Sequence, residues 1–202
     1  MNIEEAKVDI AMSLAEIGAL KFGEFTFKSG IVSPMYVDLR LFISYPKLLK
    51  KIAKVYAQQL ETLKFDRLAG VAYAALPIAG AVSLEMDRPW IFMRKEALNK
   101  AYGLEKNLEG EYKKGETVVM IEDLVTKATS LLEAIPAIEK HGLVVKDAVV
   151  LLDYGKGGGE NLKSNGYKLH AFMTMKEVVD IMKANGKIDA EKHGQCIEFI
   201  AG

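Results

Sequence analysis

The run Val118-Val119-Met120-Ile121, followed at once by Glu122-Asp123, constrains this chain more than any other feature. Four apolar residues without alternation need apolar neighbours on both faces, which is the situation of a strand inside a parallel sheet. Two carboxylates then stand at the carboxyl end of that strand, where such sheets bind ligands. The residues that follow, Leu124-Val125-Thr126-Lys127-Ala128-Thr129-Ser130, are rich in hydroxyls and lead into a helix expected to run to about His141. Hydroxyls and free backbone N–H groups at a helix N-terminus make an anion site, reinforced by the helix dipole. Paired acids beside it can accept hydrogen bonds from a sugar diol and hold Mg²⁺ through water. An acid pair next to a phosphate cradle suits a phosphorylated ribose. The same residues also suit an ordinary strand-to-helix turn whose acids and Thr126 serve as caps.

The surrounding pattern alternates between strand and helix. Ile3, Ala6, Ile10, Leu14 and Ile17 predict an amphipathic helix over 3–18. Residues 21–40 are aromatic-rich and broken by Ser29-Gly30 and Ser33-Pro34, which suits a hairpin. Pro46 opens a second helix whose apolar stripe carries Leu48, Leu49, Ile52, Val55, Tyr56 and Leu60. Strands are expected at 68–71, 90–93, 117–121, 148–152 and 167–172, with helices over 77–86, up to about 141 with Pro136 inside it, and 175–184. Residues 94–116 are Lys-rich, glycine-punctuated and without apolar period, so they read as a long functional loop. The expected class is α/β, a mostly parallel central sheet flanked by helices.

Composition excludes several classes. Lys plus Arg number 27 and Asp plus Glu number 27, so no bulk charge draws the chain to nucleic acid or an anionic membrane. The longest uncharged run, 68–84, is interrupted by Gly70, Pro77 and Gly80 and is short for a membrane span. The polar N-terminus is unlike a signal peptide, and a cytoplasmic protein is expected. Cys196 is the single cysteine, so no internal disulfide forms. His141, His170 and His193 lack metal-ligand spacing. The glycines at 155–159 do not form a P-loop.

Residues 118–130 resemble, nearly position for position, the thirteen-residue signature for phosphoribosyl pyrophosphate (PRPP) of type I phosphoribosyltransferases. One departure is Ala128, where the family usually has glycine; alanine adds a β-carbon and disfavours positive φ. The resemblance extends over most of the chain and is closest to the orotate phosphoribosyltransferases. Residues 21–40 look like that family's N-terminal segment. The resemblance implies that Lys28 contacts PRPP and the base, and that Tyr36 and Val37 line the orotate pocket. Residues 70–80 resemble the pyrophosphate loop, with Tyr73 and the backbone around Ala74 on the diphosphate. In 94–103, Arg94, Lys95 and Glu96 match the mobile catalytic loop, and Lys100, Tyr102 and Gly103 match if two residues are inserted within 97–99. Residues 151–162 resemble the segment whose arginine binds the orotate carboxylate, but Tyr154 occupies its place; Lys156 is the candidate to compensate.

The resemblance implies a single domain over 1–202, with about 1–45 forming a hood over the base and about 65–175 a PRPP-binding core. It implies transfer of 5-phosphoribosyl from PRPP to orotate, with pyrophosphate leaving. Lys100, Arg94, Lys95 and Asp123 are the expected catalytic residues. Glu122, Asp123, Leu124, Val125, Thr126, Lys127, Ala128, Thr129 and Ser130 are expected on PRPP, with Thr126 and Tyr154 also near the base. Mg²⁺ near Glu122 and Asp123 is the expected cofactor, and a homodimer with shared sites the expected assembly. A phosphoribosyltransferase for another base, or a non-catalytic PRPP sensor, are the competing expectations.

Overall fold

The computed structural model describes residues 2–26, 30–94 and 107–202. Helix α1 spans Ile3–Glu16. Asn2 caps it, accepting from the Glu4 amide, while the Glu5 side chain accepts from the Asn2 amide. A hairpin follows, β1 (Leu20–Thr26) antiparallel to β2 (Val32–Val37). A 3-10 turn at Leu39–Ser44 leads to α2, Pro46–Leu60, with its proline where a missing N–H costs nothing. The remaining order is β3 (Arg67–Gly70), α3 (Ala75–Met86), β4 (Trp90–Met93), β5 (Leu108–Glu109), β6 (Thr117–Val125), α4 (Thr129–Glu139), β7 (Val144–Asp153), α5 (Gly158–Ser164), β8 (Lys168–Thr174), α6 (Met175–Ala184) and α7 (Ala190–Ala201).

Six of these strands form one sheet in the order β5-β4-β3-β6-β7-β8, parallel throughout except for the short β5. This is the α/β class that the sequence predicts. β6 lies in the middle and shows why its apolar run does not alternate. Val119 and Ile121 face a core made with α1, the hairpin, α2, α3 and α6. Val118 and Met120 face a second core closed by α4, through Leu131, Ala134, Ile135 and Ile138. Burial on both faces leaves no position for a polar residue until Glu122.

Three differences from the sequence reading stand out. β6 continues through Glu122 and Asp123 to Val125, because β7 runs beside it and pairs with Glu122, Leu124 and Val125; the turn therefore begins only at Thr126. The segment 94–116 is not wholly loop, since Leu108–Glu109 pairs with β4. Helices α5 and α7 were not predicted. Glycines at 155–159 hide the first, and the second wholly buries only Cys196, with Ile197, Phe199 and Ile200 partly buried against the first core.

Candidate active site

Three chain segments meet beyond the carboxyl ends of β3 and β6. The turn after β3 brings Tyr73 and Ala74 to the start of α3. The end of β6 brings Glu122 and Asp123. The turn into α4 brings Thr126, Ala128, Thr129 and Ser130. They line a cleft of about 270 Å³ together with Ala72, Leu124, Val125 and Leu131. The Ala72–Tyr73 peptide bond is cis. A larger cleft of about 360 Å³ lies between the hairpin and α7 and is lined by none of the sequence-predicted residues.

Glu122 is 8 % exposed and Asp123 only partly buried. Burial pushes the Glu122 carboxyl well above its ordinary value, and the neighbouring Asp123 charge pushes it the same way. The Asp123 amide donates to Glu122 Oε1 at 3.1 Å. Beneath them, Tyr56 of α2, with no exposed surface, donates its hydroxyl to the Glu122 carbonyl at 2.6 Å. This tether fixes the strand just where the acids emerge. Sequence reasoning placed Tyr56 in the apolar stripe of α2 and missed its second role. The available signal was the hydroxyl itself, since a buried tyrosine finds a partner.

The start of α4 is open. Its N-cap is Ala128, at φ 62° and ψ 22°, and no side chain caps the helix. The amides of its first turn therefore face the cleft without a side-chain partner. A left-handed alanine costs on the order of 1 kcal/mol, and the position is 95 % buried from solvent in keeping with its 5 % exposure. The sequence conflict at Ala128 is thus resolved in favour of the turn: the residue adopts the positive φ that glycine would take freely.

Helix α5 leans on this turn from outside the cleft. Asn161 Nδ2 donates to the Lys127 carbonyl at 3.0 Å. A β-carbon on Gly158 would stand 2.6 Å from the Thr126 carbonyl oxygen and 2.7 Å from Val125 Cγ2, so only glycine permits this approach. Lys127 is absent from the cleft lining, its carbonyl being turned toward α5.

The other expected residues sit as follows. Tyr36 is on β2, its ring 5.6 Å from that of Phe25, and Val37 ends the same strand. Arg40, just beyond, grips Asp38 with two hydrogen bonds of 2.7 and 2.8 Å, which hold the Asp38 carboxyl below its ordinary value. Arg94 pairs with Glu109 at 2.5 Å. Lys28, Lys95, Lys100 and Tyr102 lie outside the described residues. Tyr154 is half-buried against the first core, and its amide donates to the Val125 carbonyl at 2.8 Å. Burial raises its hydroxyl pKa, with the Ser33 hydroxyl acting against the rise. Lys156 is committed elsewhere: its ammonium donates to the Phe199 carbonyl at 2.5 Å and lies 5.0 Å from the centroid of the Phe199 ring.

Residues 43–185 match the family described as phosphoribosyl transferase domain. An orotate phosphoribosyltransferase of Caenorhabditis elegans is 36 % identical over 197 residues, 96 % of this chain and 86 % of that protein. A uridine 5'-monophosphate synthase of Bos taurus is 39 % identical over 193 residues, 95 % of this chain and 40 % of that protein. Among solved structures, a UMP synthase of Leishmania donovani superposes with a TM-score of 0.88 at 36 % identity, covering 99 % of this chain and 43 % of that one. The chain thus spans about two fifths of the length of the bovine and Leishmania proteins.

Proposed function

Because the chain belongs to the phosphoribosyl transferase domain family, we propose that it transfers the 5-phosphoribosyl group of PRPP to N1 of orotate, releasing pyrophosphate and orotidine 5'-monophosphate. The observation that carries the reading is the open N-terminus of α4 beside Glu122 and Asp123 in one cleft. The amides and hydroxyls of residues 126–130 bind the 5'-phosphate, and the helix dipole favours its charge. Asp123 and Glu122 accept the ribose hydroxyls. Tyr73 and the backbone at Ala74 hold the diphosphate from the opposite wall. The hairpin, with Lys28, Tyr36 and Val37, forms the hood over the base.

The transition state is oxocarbenium-like, with positive charge on ribose and negative charge on the departing pyrophosphate. Catalysis is therefore positioning and electrostatics rather than nucleophilic attack by a side chain. Arg94, Lys95 and Lys100, supplied by the partner subunit of a homodimer, stabilise the leaving group. Two carboxylates alone make an incomplete donor set, which fits a cation that retains water and takes substrate oxygens. Asp123 and Glu122 would hold Mg²⁺ in that way, and the ion when bound neutralises charge on the diphosphate. No described helix is long and apolar enough to cross a membrane, and the cytoplasm is the proposed site of action.

A second reading has its own observation. Tyr154 stands where the family places its carboxylate-binding arginine, and Lys156 is held by Phe199. A base without a carboxylate is the alternative substrate. Mixing the protein with PRPP, Mg²⁺ and orotate while following the loss of orotate absorbance tests the first reading. Turnover of uracil or a purine base, with none of orotate, moves the substrate and keeps the chemistry.

A further inference from the structure

We propose that Asn161 of α5 is a positioning residue of the phosphate site, a latch that keeps the Lys127–Ala128 peptide from flipping. The inference rests on the reading of residues 126–130 as the phosphate cradle, and deepens it. A peptide unit is planar and trans, so its C=O and N–H point in opposite directions. Asn161 Nδ2 holds the Lys127 carbonyl at 3.0 Å on the outer side of the turn. The Ala128 amide of the same peptide unit is thereby turned the other way, and Ala128 lines the cleft whereas Lys127 does not.

The latch has something to oppose. Ala128 sits at φ 62°, a conformation that side chains with a β-carbon rarely adopt. Rotating the 127–128 peptide about its ends would carry φ of Ala128 back to negative values and relieve the crowding. The same rotation would withdraw the amide from the phosphate and point a carbonyl oxygen, a like-signed dipole, toward it. A glycine at 128 would be at ease with either sign of φ and would need no such restraint. Gly158 supports the latch sterically, because its missing β-carbon lets α5 approach the Thr126 carbonyl closely enough for Asn161 to reach. The segment 155–162 then has a purpose that the sequence alone assigned only to the base.

The test is a double-mutant cycle on the full chain, read by PRPP binding in titration calorimetry and by steady-state kinetics. Asn161→Ala is expected to weaken PRPP about fivefold, the effect of one lost hydrogen bond, and to raise KM for PRPP while leaving KM for orotate in place. Asn161→Gln, which keeps an amide donor, is expected to recover part of the loss. In the Ala128→Gly background Asn161→Ala is expected to weaken PRPP less than twofold, since the strain to be held has gone. An equal loss in both backgrounds, or a loss shared by PRPP and orotate, would overturn the latch while leaving the phosphate reading intact. Absence of PRPP binding by the unchanged protein overturns that reading and the latch together. Asn161 is exposed, and a thermal melt alongside each titration separates weakened binding from unfolding.

Discussion

Two helices begin at the same edge of the sheet and begin differently. After β8, Thr174 closes α6 directly: its hydroxyl accepts from the Glu177 amide, and Glu177 accepts in return from the Thr174 amide. After β6, α4 starts at an alanine with no side chain to offer. The first arrangement pairs two of its backbone donors with its own side chains. The second leaves donors facing a cleft beside two acids. A helix start that a fold leaves uncapped, at the expense of a strained residue, is where a ligand belongs.

The sharpest way to break the contrast is to cap α4. Ala128→Asp would supply an N-cap carboxylate and tolerate the left-handed backbone better than alanine, but would put negative charge where the phosphate is proposed to bind. PRPP affinity is expected to fall roughly a hundredfold with no loss of melting temperature, checked by calorimetry and by thermal melts. Next in size, Tyr56→Phe removes the buried hydrogen bond that tethers the strand under Glu122. A stability loss of about 2 kcal/mol is expected in urea unfolding. Unchanged stability would mean that the strand end holds itself.

The acids give a pH prediction. Glu122 has its folded pKa raised above the ordinary glutamate value, so its contribution to stability is complete below that value and is lost as pH climbs through the raised one. The ligand-free protein is therefore expected to lose melting temperature on the alkaline side. Glu122→Gln, neutral at every pH, is expected to melt with the native protein at pH 4.5 and about 3 °C above it at pH 8. Coincident curves across the range would show that Glu122 is ionised in the fold. The smallest effect is expected at the capped helix: Thr174→Ala costs about 1 kcal/mol of stability and leaves KM for PRPP where it was.

Legibility in the sequence followed the same division. The β6 run could be read because burial on both faces leaves a mark in composition, and the acid pair and hydroxyls after it stand out against that background. Ala128 could be read as a conflict, though not how the conflict is held. The hydroxyl of Tyr56 signalled that a partner existed but not which one, and Asn161 gave no signal, because each bonds a backbone carbonyl distant in sequence, 66 and 34 residues away. A carbonyl partner leaves no trace in residue type. Helix α7 escaped for a related reason: it contributes a cover and only one wholly buried side chain, although Asp189 at its start was a legible cap.

That cover sets an order of assembly. The hairpin of β1 and β2 lies far before the helix that packs on β2 and whose Phe199 carbonyl anchors Lys156. Contacts between such distant segments form late, because closing the long intervening loop is entropically costly. The proposed phosphate cradle, residues 126–130 braced by α5, depends on contacts nearer in sequence than those between the hairpin and α7. Loosening α7 would therefore disturb the proposed hood before it disturbed the proposed phosphate cradle.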